Sequence, residues 1–128
     1  MRDTAPPVLE VRDLVTRFHT RAGVVHAVNG VSWTLHAGES LALVGESGSG
    51  KTVSALSVLG LVPPPGRVEE GQVRLRGSDL LELSPAGWRT VRGKEVAMVF
   101  QDPMTSLNPV LNVGRQVREV LEEHTALR

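Results

Sequence analysis

GESGSGKT, from Gly45 to Thr52, follows the apolar run Leu41-Ala42-Leu43-Val44 without a break. An apolar run that does not alternate suits a strand covered on both faces, as in a parallel sheet. The loop after it holds three glycines, two serines and one lysine. Its spacing, Gly45-x4-Gly50-Lys51-Thr52, fits the phosphate-binding pattern G-x-x-x-x-G-K-[ST]. A phosphate chain offers many acceptor oxygens and several negative charges. Main-chain N–H groups curling inward can cradle it, and glycine permits the angles and the close approach. A helix N-terminus supplies further free N–H groups and a positive dipole end. Lys51 would reach the outer phosphates, and the Thr52 hydroxyl would ligate Mg²⁺. The competing reading is a flexible surface linker. Chance alone gives this pattern in under about one per cent of chains this long, so the linker reading is set aside.

The flanks carry consistent patterns. Val31-Ser32-Trp33-Thr34-Leu35-His36 alternates with period two, the mark of a strand with one buried face. Val8-Leu9-Glu10-Val11 and Val24–Val28 are shorter strand candidates, with a turn at Arg21-Ala22-Gly23 between them. Thr52 to Leu61 reads as a helix, ended by Pro63-Pro64-Pro65-Gly66. Gln72–Arg76 is a further strand signal. Ser84-Pro85 opens a short helix, with serine as N-cap and proline at the first helical position. Val96-Ala97-Met98-Val99-Phe100 is a second non-alternating strand, and Asn112 caps a last helix with Val113, Val117, Val120 and Leu121 on one stripe. Strand, glycine loop, helix and strand point to an α/β fold beside a β-rich N-terminal portion.

Composition bounds the rest. The 128 residues suffice for one ordinary domain, with 41% hydrophobic and 22% charged residues and a formal net charge of zero. Neutral balance favours neither nucleic acid nor an anionic membrane. With no cysteine there are no disulfides and no thiolate metal sites. The N-terminus MRDTAPPVLEV lacks the apolar core of a signal peptide, and no apolar run reaches the roughly 18–20 residues that span a bilayer. The expected setting is cytoplasmic, with residues 1–7 a disordered tail.

A phosphate loop leaves the reaction open. VFQDPMTSLNP, from Val99 to Pro109, puts Gln101 at the end of a buried strand, fifty positions after Lys51. Its amide could ligate Mg²⁺ or position water, or could simply cap a strand end. GESGSGKT together with VFQDPMTSLNPVLNVGRQVREVL resembles the ATP-binding subunits of ABC transporters, and more narrowly the oligopeptide, dipeptide and nickel importer group. The likeness runs over residues 8–128.

The resemblance implies a P-loop NTPase fold, a RecA-like parallel core with an antiparallel β subdomain, and ATP and Mg²⁺ as cofactors. Gly45, Glu46, Ser47, Gly48, Ser49, Gly50, Lys51 and Thr52 would form the Walker A loop. Gln101 would touch Mg²⁺ and relay nucleotide state to transmembrane permease subunits. Phe18 falls where the family has an aromatic that stacks on adenine; the bland reading is that it packs in the β-rich portion. A second ATP-binding subunit is the other implied partner, nucleic acid is not, and the whole would sit on the inner face of the membrane through the permease.

The resemblance also sets what to expect of catalysis. A Walker B strand ending in Asp-Glu, an L-S-G-G-Q signature and a switch histidine, all downstream of Gln101 in the family, do not occur among these residues. Asp102 has no glutamate beside it and is no substitute. Residues 1–128 are thus expected to be the N-terminal portion of one nucleotide-binding domain, binding nucleotide but not hydrolysing it alone. Without the intervening strands, Leu41–Val44 and Val96–Phe100 would lie open, making the isolated chain unstable or partly molten. Alternatives are a non-catalytic module that associates with permease or full-length ATPase subunits, and a small P-loop kinase, against which VFQDPMTSLNP argues. His19, His26, His36 and His124 have no metal-ligand spacing and read as surface or turn residues. Arg67, Arg74, Arg76, Arg89 and Arg92 read as a solvated face, and Trp33 and Trp88 as core or interface.

Overall fold

β1 (Leu9–Thr20) and β2 (Gly23–Leu35) form a long hairpin around a turn at Arg21-Ala22 in the computed structural model, which describes residues 5–126. β3 (Gly66–Leu75) pairs with the other edge of β1, and β4 (Ser78–Asp79) closes on β3. The order is β2-β1-β3-β4, antiparallel throughout. The two strand candidates at Val24 and Val31 are thus one strand, and the signal at Gln72 is the end of a longer one. The register shifts locate extra residues in the strands, one of them Gly30 of β2, between the pairs Leu14–Val31 and Val15–Asn29. Thr16 pairs Val28 while Arg17 pairs His26, so β2 carries an extra residue at Ala27. The same count against β3 puts its extra residue at Glu69. On β1 the bulge is at Asp13, whose φ is +46 and whose N–H donates to Ser32 Oγ at 2.8 Å.

The core gathers Leu9, Val11, Leu14 and Val15 of β1 with Val28 and Val73 of its neighbours. Val58 and Leu59 of the helix α1 (Lys51–Val58) and its C-cap join them, as does Leu80 in a short 3₁₀ turn. α1 begins one residue before the expected start and ends ahead of Gly60. Of the expected N-terminal tail, Met1 to Thr4 lie outside the described residues. Ala5 to Pro7 have no regular structure, and the Val8 N–H already joins the Leu35 carbonyl at 2.8 Å.

Leu41–Val44 departs from expectation. It is not a strand but irregular chain, with Leu41 and Leu43 exposed and Val44 93% exposed. A strand is defined by its partner, and among the described residues no segment pairs with this one. The sheet that does form is the expected antiparallel portion; a parallel sheet is absent among the described residues.

Contacts divide the chain into two compact units, Met1–Leu83 and Ser84–Arg128. In the second, α2 (Pro85–Val91) starts as the sequence indicates, with the Gly87 N–H donating to Ser84 Oγ at 3.1 Å and Pro85 at the first position. The Arg92 guanidinium lies 4.4 Å over the Trp88 ring. The expected strand Val96–Phe100 is reduced to a single parallel bridge between Arg92 and Val96, and Val99 is 97% exposed. Asp102 caps a 3₁₀ turn, Pro103–Thr105, through the Met104 N–H at 3.0 Å, which gives this aspartate a structural job. α3 (Val113–His124) is capped by Asn112 as expected, through the Gly114 N–H at 2.8 Å. The Gln116 side chain ties the preceding loop to α3: its amide donates to the carbonyls of Asn108 (3.0 Å) and Leu111 (2.9 Å). The apolar stripe Val113, Val117, Val120 and Leu121 is exposed along its length. Among the described residues no helix is long and apolar enough to cross a membrane.

Candidate functional site

The glycine loop leads directly into α1, and two of its glycines hold conformations that other residues rarely adopt. Gly48 has φ +80 and Gly50, the N-cap of α1, has φ +94. Gly50 has a second constraint. A Cβ there would run into the carbonyl of Ala27, an extra residue of β2. That β2 bulge therefore presents its carbonyl to the helix start, and only a residue without a side chain lets the two backbones approach. The glycine was legible in the motif; its partner was not, because nothing local to Ala27 announces a bulge.

Lys51 opens α1 and bends its side chain back into the loop. Its ammonium donates to the Gly45 carbonyl, to the Glu46 carbonyl at 2.7 Å and to Ser49 Oγ at 3.3 Å. The Ser49 N–H closes a turn onto the Glu46 carbonyl at 3.1 Å, and the Ser54 N–H starts the helical ladder on the Gly50 carbonyl at 2.8 Å. The loop is thus folded around the ammonium, with a cation at its centre and a helix N-terminus at its rim. No acidic side chain stands in the first turn of α1. That donor set suits an anion with several oxygens, which would replace the carbonyls as the ammonium's partners.

Thr52 is exposed on the first turn of α1. Among the described residues no cluster of three or more His, Asp or Glu could hold a metal ion. A divalent cation here would need phosphate oxygens and water beside the Thr52 hydroxyl, which is how Mg²⁺ is usually held on nucleotides.

Phe18 lies near the end of β1, half-buried, its ring over Gly66 and close to Val62. Thr16, two residues earlier on the same strand, faces α1, and β1 has no extra residue between them. Period two therefore places Phe18 on the sheet face that carries α1. Gln101 belongs to the second unit, exposed at the bend that follows residues 97–100.

The opposite face of this end of β1 carries charge. Glu69, the bulged residue of β3, accepts from His19 Nε2 at 2.5 Å, Arg17 Nη1 at 2.9 Å and Arg67 Nε at 3.2 Å. The His19 hydrogen bond first, then those of the two guanidiniums, pull the Glu69 carboxyl down from 4.5 to about 2. Arg17 Nε also donates to His26 Nδ1 at 3.1 Å, so that nitrogen carries no proton. These groups satisfy one another; Arg67, expected on a solvated face, is largely exposed and pairs with Glu69 from there.

The ABC transporter family profile matches residues 28–127. The oligopeptide transport ATP-binding protein OppD of Bacillus subtilis is 51% identical over 118 residues, 91% of this chain and 33% of that protein. The dipeptide transport ATP-binding protein DppD of Lactococcus lactis is 46% identical, covering 91% of this chain and 34% of its own length. OppD of Haemophilus influenzae is 47% identical over 92% of this chain and 36% of its own. The chain spans about a third of the length of the curated relatives it matches.

Proposed function

Because the chain belongs to the ABC transporter family, we propose that residues 45–52 bind the triphosphate of ATP as part of an ATPase that drives import of peptides or a related solute. The observation that carries this is the Lys51 ammonium turned into a glycine loop at a helix N-terminus, with Gly50 set tight against Ala27. The loop amides would receive the phosphate oxygens and Lys51 the outer ones, while the Thr52 hydroxyl would be a ligand of Mg²⁺. The bound ion would supply charge neutralisation of the phosphates. Phe18, on the α1 face of β1, would offer its ring to the base. Gln101 would approach the metal and communicate with the membrane partner.

The relatives are peptide transport ATP-binding proteins by name, and the solute class is carried over from them. Permease subunits in the membrane and a second ATP-binding subunit are the partners this reading requires. The protein would then work on the inner face of the membrane through its permease. Residues 1–128 would be one portion of a single nucleotide-binding domain, contributing phosphate binding, with hydrolysis dependent on residues they do not contain.

Titration of the parent and of Lys51→Ala with Mg-ATP tests the reading. Loss of the charge-assisted contacts should weaken binding by roughly a hundredfold or more. Equal binding by the two would overturn the assignment of the loop.

A further inference from the structure

Thr16 and Ser57 are both wholly buried, and their hydroxyl oxygens lie 2.7 Å apart. Ser57 Oγ also lies 2.7 Å from the Val53 carbonyl, which can only accept. A serine hydroxyl has one proton. It goes to Val53, so Thr16 must donate to Ser57. The outcome is a directed chain, Thr16 to Ser57 to the Val53 carbonyl, that crosses from the central strand to the helix bearing Lys51.

We infer that Thr16 and Ser57 are positioning residues for the nucleotide, holding the base side of the site in register with its phosphate side. This rests on the nucleotide-binding reading above and goes beyond it. α1 packs on the sheet through Val58 and its C-cap Leu59, and two close polar contacts at different points along its length add to that packing. Its start is held where Gly50 meets the Ala27 carbonyl, and its second turn where Ser57 meets Thr16. The first contact shapes the phosphate loop. The second sets how α1 lies on β1, and Phe18 is two residues from Thr16 on that same face. Removing the second contact while keeping the first leaves the loop intact but lets the helix pivot about Gly50. Phosphate binding survives; alignment of base and phosphates does not. A hydroxyl pair suits this task better than packing alone, because a hydrogen bond fixes direction as well as distance.

The test compares Mg-ATP with inorganic tripolyphosphate, which has the phosphates and no base, on the parent, Thr16→Val and Thr16→Ser. Valine keeps the shape and deletes the donor; serine keeps the donor. Thr16→Val should bind Mg-ATP about fivefold to tenfold more weakly and tripolyphosphate within about twofold of the parent. Thr16→Ser should match the parent on both within about twofold. Equal loss of both ligands in Thr16→Val, or no loss of either, overturns the inference. So does a Thr16→Val chain that fails to fold while Thr16→Ser folds, since the pair would then serve stability alone. A parent that binds neither ligand contradicts the nucleotide reading itself, and this inference falls with it. A parent that binds both leaves that reading standing whichever way the variants behave.

Discussion

The middle of β1, Leu14 to Thr16, and the run Leu41–Val44 both carry apolar side chains, yet one is sealed and the other lies open. Leu14 has 0% exposure and Val44 has 93%. The difference is not hydrophobicity but where each segment finds its partner. β1 reaches β2 across a two-residue turn and β3 within the same unit, so its backbone groups and its apolar side chains find their partners among the described residues. Leu41–Val44 and residues 97–100 have the non-alternating pattern of parallel strands, whose partners come through long crossovers. Among the described residues no such partner exists, and their side chains face water. An antiparallel sheet can close locally; a parallel core cannot.

The largest expected effect follows directly. Hydrogen exchange should protect the amides of Val15 to Arg17 by several orders of magnitude more than those of Leu41 to Val44 and residues 97–100. Uniform protection across both regions would break the contrast. Next, Leu14→Ala should lower protection in β1 and β3 by about 2–5 kcal/mol, as deletion of a buried leucine does. A variant with unchanged exchange would mean the core does not depend on that side chain.

Gly50→Ala probes the joint between the two regions. A methyl there meets the Ala27 carbonyl and asks alanine to hold φ +94. The expected loss is about 2–4 kcal/mol, accompanied by loss of Mg-ATP binding in titration. Retained affinity would show that the loop tolerates a rearranged helix start.

Smaller still is the effect of acid on the sealed sheet. Glu69 sits at about 2 instead of 4.5 because His19, Arg17 and Arg67 stabilise its charged form. A lowered carboxyl stabilises the fold above its unfolded value and loses that contribution as pH falls. The contribution of Glu69 should therefore be complete above about 4.5 and fade between 4.5 and 2. Glu69→Gln should flatten this part of a pH-stability profile, and an unaltered profile would remove Glu69 as its source. The smallest effect belongs to the open region: Val44→Ser should change the stability of this chain by under about 0.5 kcal/mol in urea unfolding.

The same divide explains what the sequence could tell. Signals read within a few residues were reliable. The caps at Ser84 and Asn112, the Arg21-Ala22 turn and the start of α1 near Lys51 all stand where their local chemistry puts them. Distant pairings were not legible. The bulge at Ala27 depends on register across the β1–β2 hairpin, and the cluster on Glu69 on register between β1 and β3, strands dozens of residues apart; periodicity encodes neither. The Thr16–Ser57 pair had a faint signal in Ser54 and Ser57, two small polar residues three apart on the buried side of a helix. Strand pattern at Leu41–Val44 and Val96–Phe100 was read as strand, and it is the absence of neighbours among the described residues that leaves them unpaired. In the glycine loop the motif made the glycines legible, and Gly48 and Gly50 do hold positive φ, whereas the Ala27 carbonyl that crowds Gly50 lies outside it.

Amide resonances followed during titration with Mg-ATP test this loop most directly. Nuclear magnetic resonance should show shifts concentrated at Gly48, Gly50, Lys51 and Thr52, absent when Lys51 is replaced by alanine. Those four amides unmoved while ATP is taken up elsewhere, or moving equally in Lys51→Ala, would contradict the account.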